Sequence, residues 1–205
     1  MLRKLPIGIQ GFESLRKDKY LYIDKTKFIY ELVHSGKQYF LSRPRRFGKS
    51  LFLSMLRAYW EGKKDLFEGL DIVKLEADNP EAWQPYPVFY FDFNGKNYQA
   101  GDALEKVLDK HLRQWEAVYG TDNSRPLEER FQNLLKEAAG QNGKRCVVLV
   151  DEYDKSLLET LHDPDLAEHN KAVFKGFFGT LKSYDEYLQF VFITGVTKFS
   201  KVSIF

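Results

Sequence analysis

The chain has 205 residues, enough for one domain with a sizeable core, and its 31 basic and 29 acidic residues nearly balance. That balance gives no support to a protein that binds nucleic acid or membranes through its overall charge. The one cysteine excludes an intramolecular disulfide. The sequence contains neither a signal-peptide core nor an apolar run of transmembrane length, so we expect a cytoplasmic protein without a membrane partner.

Two units are predicted along the chain. Residues 1–36 form an N-terminal arm followed by a helix, and residues 37–205 form the second unit. The arm is expected to be irregular, apart from a short strand at 20–23. Asp24 is the predicted N-cap of the helix, which is expected to run from Lys25 to His34.

The second unit opens with a phosphate-binding pattern. A strand-like apolar segment at 38–41 and a helix-like segment at 51–56 flank the run R-P-R-R-F-G-K-S at 43–50. In a P-loop at this place, backbone N–H groups cradle phosphates, a Lys reaches the β- and γ-phosphates, and a Ser or Thr ligates Mg²⁺. The residues predicted to bind the nucleotide are Arg45, Arg46, Phe47, Gly48, Lys49, Ser50 and Leu51, with Lys49 in a catalytic role and Ser50 as a metal ligand.

The loop departs from the consensus at its first position. Arg43 stands where the consensus has Gly, and Pro44 pushes Arg43 toward an extended conformation, which predicts a stiff start to the loop. Arg45 and Arg46 add two positive charges beside the phosphate site. One interpretation is that they pair with nucleotide phosphates or with carboxylates such as Asp154. The alternative is that they belong to a basic loop exposed to solvent.

The segment after the loop supplies the next elements of the fold. The expected elements are a polar stretch at 63–84, a strand at 87–93, a helix at 103–119 and a helix at 127–139. Phe67 and Leu70 are expected to anchor the polar stretch to the core. Gly140 is the predicted stop of the last helix.

Two carboxylates follow a second buried strand. The apolar run Cys146–Val150 has the pattern of a strand covered on both faces of a parallel sheet. Because the carboxyl ends of such strands share one crevice, Asp151 is expected to hold Mg²⁺ in the same crevice as Lys49. Glu152 is expected to activate the attacking water as the general base. Alternatively, one of the two carboxylates caps the helix expected at 153–162.

A polar residue also ends the last predicted strand. A helix at 166–183 precedes this strand, which is expected at 189–193. In ATPases with an additional strand between the P-loop strand and the acidic strand, a polar residue here senses the γ-phosphate. Thr194 is the candidate, with Thr197 and Lys198 as alternatives, although a Thr-Gly pair is also ordinary turn chemistry.

The loop at 43–50, the run Y-I-D-K-T at 22–26 and the run V-D-E-Y-D at 150–154 resemble the AAA-ATPase-like family of bacterial proteins. The resemblance covers nearly the whole chain. It implies an α/β, three-layer P-loop NTPase core with a mainly parallel sheet of the additional-strand type, related to the archaeal ATPases and STAND NTPases. It also implies ATP and Mg²⁺ as cofactors, and it suggests that the arm packs over the nucleotide base, a role compatible with the cap at Asp24.

Related cores have the strand order 5-1-4-3-2, and the chain after Thr194 is too short for the fifth strand. We therefore expect an open edge on the P-loop strand and a tendency to self-associate. In the family this domain usually precedes a domain resembling PD-(D/E)xK nucleases, which we expect to be missing here. The expected function is Mg²⁺-dependent ATP binding, with hydrolysis coupled to that effector. The alternatives are a non-hydrolysing nucleotide-gated switch or scaffold, and a nucleic-acid-handling module.

Overall fold

The computed structural model describes residues 4–197 of the chain. Four strands form one sheet in the order β1-β4-β3-β2, and every neighbouring pair is parallel. The strands are β1 (Gln38–Ser42), β2 (Val88–Asp92), β3 (Cys146–Asp151) and β4 (Leu188–Gly195). Because β4 lies between the loop strand β1 and the acidic strand β3, the predicted α/β core of the additional-strand type is confirmed.

Helices occupy much of the described part of the chain. The α-helices are α1 (Phe12–Lys17), α2 (Thr26–Ser35), α3 (Lys49–Trp60), α4 (Asp71–Leu75), α5 (Ala103–Tyr119), α6 (Leu127–Asn142), α7 (Lys155–Glu159) and α8 (Pro164–Ser183). Short 3-10 helices span Lys64–Phe67 and Asp185–Tyr187. None of the helices within residues 4–197 is long and apolar enough to cross a bilayer.

The two faces of the sheet carry two hydrophobic cores, which gives the molecule three layers. On one face Phe89, Phe91 and Val148 pack with side chains from α5, α6 and α8. On the other face Val147 and Leu149 pack with side chains from α1 to α4. Since neighbouring residues of β3 enter opposite cores, the whole strand is buried and its sequence is uniformly apolar until the final aspartate.

Several predicted helix boundaries are wrong by a few residues. Helix α6 continues past Gly140 to Asn142, and Gly143, with a φ of 62°, stands just beyond its end. Gly143 supplies the left-handed turn that ends a helix, which Gly140 does not. Helix α7 spans only Lys155–Glu159, with Asp154 in the N-cap position, so it is shorter than the predicted 153–162 at both ends.

The N-terminal arm also differs from its prediction. No strand forms at 20–23, since the Tyr20 N–H donates to the Leu15 carbonyl and the Leu21 N–H donates to the Lys4 carbonyl. These bonds fold the arm back on its own first residues. They leave its backbone without the regular pairing of a strand.

Helix α2 begins at Thr26, with Lys25 rather than Asp24 as its N-cap residue. The prediction of Asp24 as the N-cap is therefore wrong by one position. The Asp24 carboxylate still accepts the Thr26 N–H at 2.8 Å, so it satisfies a first-turn amide from just outside the helix.

The polar stretch after α3 is anchored as predicted, because Phe67 and Leu70 are both buried. Within the described residues β1 pairs with β4 alone. The missing fifth strand and the tendency to self-associate stay predictions. Lys198, one of the alternative sensor residues, lies outside the described part of the chain.

Candidate functional site

The loop between β1 and α3 turns tightly into the helix. Arg46 and Gly48 both have left-handed φ angles, 67° and 75°, and α3 begins directly after Gly48. The Arg43 N–H donates to the Gly195 carbonyl at 3.2 Å, which extends the β1–β4 pairing by one bond. Arg43 thus lies in line with β1, as Pro44 favours, and the loop turns without a first glycine.

Lys49 and Ser50 occupy the first turn of α3. The Lys49 side chain is only 4% exposed, and its Nζ donates to the Pro44 carbonyl at 3.2 Å, so it reaches back across the loop. The free N–H groups of a helix N-terminus attract anions, and a buried lysine adds a full positive charge. Arg45 and Phe47 are exposed beside this turn. The loop is therefore suited to phosphate.

Asp151 lies at the carboxyl end of β3, deep in the same edge of the sheet. It is 1% exposed, and its Oδ1 accepts the Thr194 hydroxyl at 2.6 Å. Its Oδ2 accepts from the Asn94 side-chain amide at 3.3 Å. Asn94 follows β2, and sequence reasoning missed it. Its place just past the carboxyl end of a predicted strand was the one available signal.

Thr194 connects the acidic residues to the middle of the sheet. Thr194 pairs with Leu41 of β1 in the β1–β4 register. It therefore lies on the strand between the loop strand β1 and the acidic strand β3. Besides donating to Asp151, the buried hydroxyl accepts the Glu152 N–H at 3.1 Å. Both bonds of this one hydroxyl therefore hold the acidic pair in place.

Glu152 occupies a strained position next to Asp151. Its φ of 51° is left-handed, a conformation that is costly for a residue with a side chain and that recurs at functional sites. Burial raises the pKa of the Glu152 carboxyl, and the charge of Asp151 adds to the rise. The positive charges of Lys49, Lys155 and Arg45 partly oppose this rise in the pKa.

Asp154 organises the segment after β4. Its buried carboxylate accepts the Val196 N–H at 2.8 Å and the Thr197 N–H at 2.6 Å. The predicted pairing of Asp154 with Arg45 or Arg46 is therefore not what holds this carboxylate. As the residue before α7, Asp154 also takes the N-cap position, so the alternative that Asp151 or Glu152 caps this helix is wrong.

An apolar cavity of about 760 Å³ opens beside the loop. It lies between the arm, α2, β1 and the start of α3, and its lining includes Ile23, Phe28, Phe47, Gly48 and Leu51. Two of these side chains, Ile23 and Phe47, are 73% and 68% exposed. Large apolar groups that line an open cavity are typical of a binding site.

The parallel sheet with β4 inserted beside β1, the glycine-lysine-serine turn and the acidic pair after β3 define a P-loop NTPase-like core. Comparison with known families agrees with that class. The model of the family described as predicted AAA-ATPase matches residues 6–205. The chain belongs to this family, which supports nucleotide binding.

One relative extends beyond the chain. The chain is 40% identical over 205 residues to an "Uncharacterized protein in vnfD 5'region" of Azotobacter chroococcum mcd 1. The match covers 99% of this chain but 39% of that protein, so the chain spans about two fifths of the relative's length. No solved structure matches the chain.

Proposed function

We propose that this chain binds ATP with Mg²⁺ and hydrolyses it. The observation that carries the proposal is the convergence of three strand ends: the loop after β1, the acidic pair after β3 and Thr194 at the end of β4. The buried Lys49 and the buried Asp151 provide opposite charges at this one edge. A magnesium–triphosphate complex has charges that complement both.

The loop amides from Arg45 to Leu51 and the Lys49 ammonium would bind the phosphates. Mg²⁺ is bound in proteins through one or two carboxylates together with substrate phosphates and water. Ser50, in the first turn of α3, and Asp151, at the end of β3, supply the hard oxygen atoms that such an ion takes. When bound, the ion would neutralise charge on the phosphate oxygens.

Glu152 is the proposed general base, because it directly follows Asp151 at the carboxyl end of β3, its backbone is held by Thr194, and burial raises its pKa. Thr194 is the proposed γ-phosphate sensor. Its bonds to Asp151 and Glu152 give it a means of relaying a change at the nucleotide to both acidic residues. Direct phosphate contact by Arg45 or Arg46 is supported only by their exposed place beside the turn.

ATP turnover in such a core serves an attached or bound effector. We propose that the effector is a further domain of the protein, because the relative from Azotobacter chroococcum mcd 1 extends well beyond the matched region. A nuclease-like domain would connect this ATPase to nucleic acid. We place the protein in the cytoplasm, where its lone cysteine stays reduced.

Two substitutions in the full chain test this proposal through nucleotide binding and phosphate release. Lys49→Ala should reduce ATP affinity at least tenfold, whereas Glu152→Gln should keep binding and lose turnover by about 100-fold or more. Lys136→Ala and Glu137→Gln, on the exposed side of α6, are the matched controls. Binding without turnover in the unaltered protein would instead support a nucleotide-gated switch, and ATP binding unaffected by Lys49→Ala would refute the proposal.

A further inference from the structure

Residues 195–197, where β4 ends, are bonded to the turn that follows the acidic pair. We call these three residues the bridging segment. Its Val196 and Thr197 N–H groups both donate to Asp154 Oδ2, at 2.8 Å and 2.6 Å. The Tyr153 hydroxyl donates to the Thr197 carbonyl at 3.0 Å. Two consecutive residues of the turn therefore fix the backbone of the bridging segment from one side.

The carboxylate of Asp154 serves the bridging segment rather than its own helix. Asp154 occupies the N-cap position of α7, yet within the described residues its side chain makes no cap bond. An aspartate at that position ordinarily accepts an N–H of the first helical turn. Asp154 is only 1% exposed, and a buried carboxylate is costly unless hydrogen bonds satisfy it. Its two bonds to the bridging segment therefore account for a carboxylate at this position.

The opposite side of the bridging segment is bonded to the start of the loop between β1 and α3. The Val196 carbonyl accepts the Ser42 hydroxyl at 2.8 Å, and the Gly195 carbonyl accepts the Arg43 N–H at 3.2 Å. Ser42 is the last residue of β1, and Arg43 is the first residue of the loop. A displacement of the bridging segment would consequently break the bonds that hold the loop where it leaves the sheet.

The start of the loop in turn influences where the Lys49 ammonium lies. Lys49 Nζ donates to the Pro44 carbonyl at 3.2 Å, and Pro44 directly follows Arg43. The ring of Pro44 fixes its φ, which removes one of the two rotations through which its carbonyl could adjust to a shift of Arg43. A continuous path of hydrogen bonds and backbone therefore leads from Asp154 through the bridging segment to Lys49.

We propose that Asp154 is a positioning residue for phosphate binding, because it holds the bridging segment against the start of the loop. The inference rests on the proposed function, since it takes the loop as the phosphate site. Asp154 acts through Val196 and Thr197 and does not itself contact the nucleotide. Its loss would free the loop to adopt further conformations, and a loop that must be ordered on binding holds phosphate more weakly. Such coupling is reciprocal, so bound phosphate should also strengthen the Asp154 bonds.

Tripolyphosphate with Mg²⁺ is the probe, because it fills the phosphate site without a nucleoside. In the full chain, Asp154→Ala removes the acceptor, while Asp154→Asn keeps an oxygen that can accept both N–H groups. We expect calorimetric titration to show binding about tenfold weaker in Asp154→Ala and within about threefold of the unaltered protein in Asp154→Asn. Unchanged affinity in Asp154→Ala would overturn the inference.

Asp163→Ala is the matched control for a merely structural effect. The exposed Asp163 carboxylate accepts the Leu166 N–H, so this variant also removes a bond from a carboxylate to an amide, but one within the start of α8. Urea unfolding should show that both alanine variants are destabilised, whereas tripolyphosphate binding should weaken in Asp154→Ala alone. A loss of affinity in both variants would mean that affinity follows overall stability, against the inference.

A double variant tests the path through Ser42. Ser42→Ala removes the hydroxyl that binds the Val196 carbonyl and should by itself weaken tripolyphosphate binding about threefold. If Asp154 acts through the bridging segment, the variant with both Ser42→Ala and Asp154→Ala should bind about as weakly as Asp154→Ala does. Losses that multiply to about thirtyfold would mean two independent effects and would overturn this path.

Hydrogen exchange in the unaltered protein keeps the test independent of whether Asp154→Ala folds. Saturating tripolyphosphate should slow exchange at the Val196 and Thr197 amides and leave the Leu166 amide, bonded to Asp163, unchanged. Equal exchange at Val196 and Thr197 with and without bound tripolyphosphate would contradict the inference. If the unaltered protein binds neither tripolyphosphate nor ATP, the proposed function fails, and the inference fails with it.

Discussion

The Thr194 hydroxyl lies 2.6 Å from Asp151 Oδ1 and 3.1 Å from the Glu152 backbone nitrogen. One side chain in the strand between β1 and β3 therefore holds both acidic residues of the candidate site. The bond to Asp151 is charge-assisted and buried, which makes it one of the stronger interactions at this edge of the sheet. The position of the carboxylates thus depends on β4 as well as on their own strand.

Replacing Thr194 tests this dependence. Thr194→Val preserves the shape but removes the partner of Asp151 Oδ1 and of the Glu152 N–H, at a cost of about 1–3 kcal/mol in unfolding free energy. We expect ATP turnover to fall more than ATP affinity, while Thr194→Ser keeps most of both. Steady-state kinetics and urea unfolding provide the measurements. If Thr194 senses the γ-phosphate, Thr194→Val should also prefer ATP over ADP less strongly than the unaltered protein does. Full activity in the valine variant would contradict both the positioning role and the sensor role of Thr194.

Gly195 leaves no room for a side chain. A Cβ there would lie 2.8 Å from Tyr153 Cε1 and 2.9 Å from Asp154 Oδ1. Gly195→Ala should therefore lower the free energy of unfolding by about 1–3 kcal/mol and shift the segment that Asp154 holds. Urea unfolding measures the change.

Gly179, within α8, is the matched control, since a Cβ there meets nothing within 4 Å. Gly179→Ala should raise the unfolding free energy by about 0.5–1 kcal/mol. Equal effects of the two substitutions would mean that the neighbours of Gly195 move aside freely.

His111 makes stability depend on pH. Burial lowers the pKa of its imidazole below the ordinary 6.5, and a bond to the Asp92 backbone and the Asp92 charge only partly oppose this, while Lys110 adds to the lowering. The folded-state pKa is below the unfolded one, so the contribution to stability is complete above pH 6.5 and is lost as the pH falls from 6.5 through the lowered folded-state pKa. Urea midpoints at pH 7.5 and 5.5 should differ more for the unaltered protein than for His111→Gln. An equal change in the urea midpoint for both proteins would exclude His111 as a source of the pH dependence of stability.

Cys146 should resist thiol reagents in the folded protein. It is buried in β3, its thiol donates to the Leu135 carbonyl, and burial raises its pKa to about 12. The thiolate is the reactive form, so alkylation by iodoacetamide should require unfolding. Mass spectrometry with and without urea measures the reaction, and rapid labelling of the native protein would contradict the packing of this strand.

The strands and their final residues were the most predictable part of the molecule. The run Cys146–Val150 is apolar because both faces of β3 are covered, and that pattern is local in sequence. The pattern that predicts the turn at Gly48 is also local, because it consists of the residues directly around that glycine. A strand followed by Asp151 therefore predicted both the sheet and the edge at which the acidic pair lies.

Contacts between distant positions left no such local pattern. Asn94 bonds to Asp151, and Asp24 bonds to the Asp71 N–H, across 57 and 47 positions. Nothing in either neighbourhood identifies the partner, and Asp24 resembled an ordinary helix cap. A local pattern can also mislead, as it did at Gly140, where the helix continues. A glycine ends a helix where its backbone turns left-handed, and in this helix that residue is Gly143.

Calorimetric titration of ATP into the full chain, with and without Mg²⁺, tests the central claim most directly. If Lys49 and the loop amides bind the triphosphate while Ser50 and Asp151 hold the ion, binding is saturable, strengthens with Mg²⁺ and is lost in Lys49→Ala. Asp151→Asn should then bind ATP with a much smaller response to Mg²⁺ than the unaltered protein. Absence of ATP binding by the folded chain, or identical titrations for the unaltered protein and Lys49→Ala, would contradict the account.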